Sequence, residues 1–139
     1  MSSKLVNCAP VFVCPDVKKT AVYYKNILGF KSVEHFDHKE PFAALYRDAV
    51  EIIVVQSRFG EVLSNRKRHG AGYDVYLDPE EVEGVDMLYT ELKDKGARIV
   101  RSPHRTPYAT YEFLVEDIDG RIIGIGRIED KKKFFGEGK

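Results

Sequence analysis

The side chains able to bind a metal or do nucleophilic chemistry are few and scattered. His35 and Asp37 share one face of a predicted strand, because side chains alternate along a strand. His38 lies beside a turn, His69 in a polar connecting stretch and His104 next to Pro103. A metal centre needs several such donors converging, so this spacing reads as surface polarity. Cys8 and Cys14 fall in one predicted strand. Six extended residues separate them by about 20 Å, too far for a disulfide, and they are expected as buried free thiols. No histidine is placed by the sequence to activate either one. The basic runs Arg66–His69 and Asp130–Lys133 could touch phosphate but read as solvated segments. There is no phosphate-cradling glycine loop and no nucleophile elbow. The Gly-Ile-Gly at 124–126 lacks the strand-to-helix context of a dinucleotide site.

Composition bounds the remaining possibilities. The 139 residues are 43% hydrophobic and 12% aromatic, enough for a core of single-domain size. Lys plus Arg and Asp plus Glu number 22 each, a formal net charge of zero that argues against a dedicated nucleic-acid binder. No apolar run reaches the roughly 20 residues of a membrane helix, and the first residues lack an apolar stretch of signal-peptide length. The expectation is a cytoplasmic protein with no membrane association.

The elements that must position any site repeat. A valine-rich strand, APVFVC, stops at Pro15, and Asp16 is a helix N-cap. Val17, Ala21, Tyr24 and Leu28 then recur at helical spacing, and Gly29 ends the helix. KSVEHFD, FAALYRD and VEIIVVQ follow as strands, the last apolar on both faces like a central strand. The polar stretch 58–70 reads as a linker. The order then recurs: strand YDVYL; a helix over VDMLYTELKDK with Val85, Leu88, Tyr89 and Leu92 on its apolar face; Gly96; strands ARIVRSP, ATYEFLVED and RIIGIGRI. The turn DIDG joins the last two. Gly29 and Gly96, like Asp48 and Asp119, stand roughly 70 residues apart. The predicted fold is α+β: two βαβββ modules, 7–57 and 71–128, forming a cupped mixed sheet within a single domain 1–139, with a solvated tail 129–139 whose Phe134 and Phe135 could dock on a neighbour.

This order and the segments PDVKKTAVYYKNILGF, LYTELKDKGARIV and YATYEFLVEDIDGRIIGIGR resemble the vicinal oxygen chelate superfamily over residues 7 to 128. That superfamily includes glyoxalase I, extradiol dioxygenases and fosfomycin- and bleomycin-resistance proteins. Its metal-dependent members carry His or Gln in the first strand of a module and Glu in the last. Those positions fall here on Ala9 and Ile53, and on Gly72 (or Ala71) and Gly124, none of which can ligate through a side chain. Glu51 lies near, one step out of phase with Ile53.

The pattern Pro107, Tyr108, Ala109, Glu112, Phe113, then Asp117, Asp119 and Gly120, looks most like the bleomycin-resistance branch. The resemblance implies a metal-free homodimer that sequesters a planar, partly aromatic, cationic small-molecule ligand in a cleft, with no cofactor and no catalytic residue. By that register Ile53, Asp74 and Tyr76 face the cup, and Phe42, Tyr46, Tyr108 and Tyr111 lie near it or at its rim. Glycines 72 and 124 are expected to leave room for the ligand, and Asp74 to orient a ligand cation. The chain has no Trp and no acidic excess, which sets bleomycin itself aside. The alternative is a metal-dependent glyoxalase-like lyase or isomerase, or a dioxygenase, with displaced ligands. A third reading is an interaction module within a larger assembly.

Overall fold

The Asp16 carboxylate accepts the Lys19 backbone N–H at 3.3 Å and starts the first helix, as its N-cap position predicts. In the computed structural model, which describes residues 2–136, the first half of the chain contains β1 (Val11–Cys14), α1 (Val17–Asn26), β2 (Lys31–His35), β3 (Phe42–Arg47) and β4 (Val50–Gln56). The second half contains α2 (Asn65–His69), β5 (Val75–Leu77), α3 (Glu83–Asp94), β6 (Arg98–Arg105), β7 (Thr110–Glu116), β8 (Ile122–Ile128) and α4 (Lys131–Phe134). They form two compact units, one through Val62 and one from Leu63.

In the first unit the strand order is β1-β4-β3-β2, with β1 parallel to β4 and the other pairs antiparallel. Val17, Ala21, Tyr24 and Leu28 are all buried, so the predicted helical stripe is the face that packs. Beneath it lie Phe12, Cys14, Ala43, Leu45, Ile52 and Val54, every second residue of their strands. Tyr24 meets Phe30 edge to face at 5.7 Å. The other sheet face carries Val11, Val13, Val33 and Tyr46, all well exposed.

The second unit has the same order, β5-β8-β7-β6, again with the outer pair parallel. Val85 and Leu92 of α3 are buried, with Phe113, Val115, Ile123 and Ile125 in the sheet. Tyr89 packs edge-on to Phe113 at 5.5 Å, which fixes the Phe113 side of β7 as the helix side. The DIDG turn is built by its first residue. Asp117 Oδ1 accepts the N–H groups of Asp119 and Arg121 at 2.8 and 3.0 Å, and its other oxygen takes Arg121 Nη1 at 3.0 Å. Gly29 and Gly96 have φ of 78° and 91°, so each helix does end on a left-handed residue.

Four details differ from the sequence reading. The stretch 58–70 holds α2, started by Ser64, whose hydroxyl accepts the Lys67 N–H at 3.2 Å. Four tail residues form α4, capped by Asp130. Helices of five and four residues are too short to show a period. β6 runs on to Arg105 past Pro103, with two register shifts. It is an edge strand, where a residue without an N–H is tolerated. Cys14 is buried, but Cys8 precedes β1 and is exposed, so only one of the two thiols is in the core. Among the described residues no helix is long and apolar enough to cross a membrane.

Candidate functional site

Residues 110, 112 and 114 of β7 point away from α3, because Phe113 and Tyr111 point toward it. On that open face β7 carries Glu112, fully buried, opposite Gly126 of β8. Leu114 lies opposite Gly124, and Gly124 in turn pairs with Tyr76 of β5. The strand order therefore brings a tyrosine, two glycines and a carboxylate into two adjacent rows on one face.

The two glycines are occupied ground. A Cβ on Gly124 would come within 2.8 Å of both the Tyr73 and the Tyr76 rings. A Cβ on Gly126 would strike the Tyr76 hydroxyl, Glu112 Cβ and the Tyr111 carbonyl. The bare backbone of β8 thus leaves room for two aromatic rings against the sheet. The rings stack on each other, with centroids 6.1 Å apart and planes 12° from parallel.

Their hydroxyls converge on Glu112. Tyr73 donates to Oε2 at 2.7 Å, Tyr76 to Oε1 at 3.0 Å, and Thr110 to Oε1 at 2.8 Å. Thr106 and Thr110 share a hydroxyl bond at 2.7 Å, and the Thr110 N–H donates to the Thr106 oxygen. The described residues give Glu112 three hydroxyl donors and no cation. A buried carboxylate is tolerable only when so solvated by protein. Burial first, and then the bond to Glu112, hold both tyrosine hydroxyls above their ordinary pKa of 10.0. Tyr108, half exposed, adds to that push on Tyr73.

The other expected site residues are placed as follows. Asp74 has both oxygens committed: Oδ1 accepts the Asn65 N–H at 3.0 Å and Oδ2 the Ile122 N–H at 2.8 Å. It fastens α2 and β8 to the start of β5, so its carboxylate serves the backbone on both sides. Tyr111 points to the α3 side. Its hydroxyl donates to Asp86 at 2.7 Å and its ring lies under Arg105 at 5.1 Å, so it does not join Tyr76. In the first unit Ile53 sits between Val11 and Ala44 on the open sheet face. Phe42 stacks on His35 at 4.7 Å, and Tyr46 donates to Glu51 at 2.6 Å. The latter bond raises the Tyr46 pKa and lowers that of Glu51.

Glu112 and Tyr73 were absent from the sequence-derived set. Each had a visible trace: Glu112 interrupts an otherwise apolar strand, TYEFLVED, and Tyr73 is the residue before Asp74. A divalent ion would not fit the positions used by metal-dependent relatives. Ala9, Ile53, Gly72 and Gly124 offer no donor atoms, and among the described residues no three His, Cys, Asp or Glu side chains come together.

The raised tyrosines give a pH signature. Below about pH 10 both hydroxyls are protonated in the folded and the unfolded chain, and their contribution to stability is complete. Above it the unfolded chain ionises first, so that contribution is lost as the pH rises through the folded pKa values. Denaturant melts from pH 8 to 11 should show a steeper alkaline loss of stability in the wild type than in Tyr73→Phe/Tyr76→Phe. Equal slopes would mean the two phenols are not held by Glu112.

Comparison with known proteins places this geometry. Residues 5–125 match the model of the Glyoxalase/Bleomycin resistance protein/Dioxygenase superfamily. The protein YraH of Bacillus subtilis (strain 168) is 25% identical over 114 residues, spanning 79% of this chain and 88% of its own. A glyoxalase/bleomycin resistance protein/dioxygenase from Alicyclobacillus acidocaldarius superimposes with a TM-score of 0.71 at 14% identity, covering 91% of this chain and 93% of its own. TioX from Micromonospora sp. ML1 does so with 0.67 at 17% identity, covering 88% and 98%. At these identities the structural neighbours establish the mixed α+β fold. With the family model spanning most of its length, the chain belongs to the glyoxalase/bleomycin resistance protein/dioxygenase superfamily.

Proposed function

We propose that this chain is a small-molecule-binding protein of the bleomycin-resistance type, working without a metal and sequestering a planar, partly aromatic ligand. The observation that carries the reading is the Tyr73–Tyr76 pair. Two parallel rings, set against glycine backbone and tied by their hydroxyls to a buried carboxylate, form an aromatic platform whose rotamers are already fixed. Tyr76 is nonetheless 37% exposed, so part of the side chain remains accessible. A ligand stacked there gains dispersion and apolar burial without first ordering the side chains. Tyr108 stands at the edge of the platform, half exposed.

The open face of the first sheet supports a homodimer. Val11, Val13, Val33 and Tyr46 are 57, 45, 40 and 41% exposed on one sheet face. A row of this kind is an interaction surface in most proteins, and we propose a second copy as its cover. The setting is the reducing cytoplasm, where the exposed Cys8 would stay a thiol.

Three measurements test these statements. With a planar ligand found by thermal-shift screening, Tyr76→Ala should weaken binding by about 1 kcal/mol or more. Its cost in stability should stay below the roughly 3–5 kcal/mol of a fully buried aromatic. A large stability loss with unchanged affinity would make Tyr76 a packing residue instead. Protein purified without chelators should hold less than about a tenth of an equivalent of Zn, Ni, Mn or Fe, because the four ligand positions carry no donors. Stoichiometric metal would turn the reading toward an enzyme. Light scattering at tens of micromolar should give twice the monomer mass, and a monomeric mass would count against the dimer.

A further inference from the structure

Resting on the platform reading, we infer that this face selects its ligand by hydrogen-bond donors: it binds planar molecules that present an N–H or O–H edge and discriminates against those that present only acceptors. The number of protons in the cluster sets this preference. A hydroxyl has one to give. Tyr73, Tyr76 and Thr110 each give theirs to Glu112, at 2.7, 3.0 and 2.8 Å. Thr110 thus has nothing left for Thr106. Thr106 already accepts the Thr110 N–H at 3.2 Å, so in the 2.7 Å hydroxyl pair it is the donor. All four protons of the cluster therefore run inward, ending on one carboxylate. Tyr108 meets the Tyr73 hydroxyl and Thr110 that of Tyr76, so what each phenol can still offer is its remaining lone pair, not a proton. A ligand N–H or O–H meeting a phenol oxygen completes the network, whereas a ligand carbonyl, ether or carboxylate meets oxygen against oxygen and loses its water for nothing.

The polarity is set by Glu112 and not by the tyrosines, which elsewhere donate and accept equally well. A carboxylate accepts only, so it forces every neighbouring hydroxyl to face it. Burial makes the arrangement fixed: Glu112 is wholly out of solvent and its Cβ lies where only a glycine at 126 leaves room for it and for the Tyr76 hydroxyl together. The equivalent row in the first unit, read through the same strand pairings, is Val11, Ile53, Val55 and Phe42. It contains no hydroxyl and no carboxylate. The first unit's open face has one hydroxyl–carboxylate pair, Tyr46 donating to Glu51 at 2.6 Å, but that pair is exposed to solvent, so the buried one-way network belongs to the second unit.

Indole and benzofuran separate the two outcomes, being planar, neutral and nearly identical in shape, with an N–H in one where the other has an ether oxygen. Both would be titrated into the full-length protein carrying ring-labelled tyrosine, with the Tyr73 and Tyr76 resonances as the readout. Indole should bind about fivefold more tightly, the range expected for one hydrogen bond. Tyr73→Phe/Tyr76→Phe, which keeps both rings, should bring the two fragments to parity. Glu112→Gln should shrink the preference as well, because an amide N–H can donate to one phenol and turn that phenol's proton outward. Equal or tighter binding of benzofuran, with the tyrosine resonances shifted, would overturn donor selection and leave the platform standing. An indole preference that survives the double phenylalanine variant would also overturn it, by placing the readout elsewhere. If neither fragment shifts Tyr73 or Tyr76, the platform itself fails, and the inference with it.

Discussion

A carboxylate with no counter-ion among the described residues, buried on the open face of a sheet, is the constraint on which the second half of this protein turns. Glu112 can be there only because three hydroxyls solvate it. Those hydroxyls in turn fix where their side chains lie. Removing one donor would leave a buried charge partly unsatisfied, a cost of about 1–3 kcal/mol or more for a charged group. Two of the donors are tyrosines, so the demand of one carboxylate immobilises two aromatic rings. Two glycines in β8 complete the arrangement: Gly124 leaves room for the rings, and Gly126 for the Tyr76 hydroxyl and Glu112. The solvation of the carboxylate and the placement of the two rings are in this sense one structure.

The two units show what one topology can carry. Both have the same strand order and the same parallel outer pair. Both bury a helix stripe against every second residue of the sheet. The open faces diverge in the same register: in the first unit the row Val11, Ile53, Val55 and Phe42 is aliphatic and aromatic, with an exposed Tyr46–Glu51 bond beside it, and in the second it is a buried hydroxyl–carboxylate network. The helix side must satisfy packing density and is held to apolar residues of matching volume. The open side is under no such demand, and its chemistry is free to differ between the halves.

Glycine 124 shows how a sequence register can be right about a position and silent about its use. Its place in the row beside Tyr76 follows from alternation and strand pairing. The expectation that its missing side chain leaves an empty space does not hold, because Tyr73 and Tyr76 take the space. Asp74 is a similar case. Its parity put it on the same face, but backbone N–H groups on either side of it claim both oxygens. Tyr111 lies one residue from Glu112, and that single step sends it to the other side of the sheet, to Asp86.

The sequence by itself determined the repeat, the order of the strands and the two longer helices, the apolar stripes of those helices, their glycine ends and the DIDG turn. All of these are written in local spacing: a period of 3.6 or 2, a capping aspartate, a residue tolerant of positive φ. It also held the absence of donors at Ala9, Ile53, Gly72 and Gly124. Only the tertiary structure decided that Glu112 is the centre of the open face. The residues that make it so, Tyr73, Tyr76, Thr110 and Gly126, come from three separate stretches of chain, and Glu112 lies 39 residues beyond Tyr73 and 36 beyond Tyr76. Hydrogen bonds over such separations leave no periodic trace. They exist because β8 lies between β5 and β7, bringing the ends of the second half into one sheet.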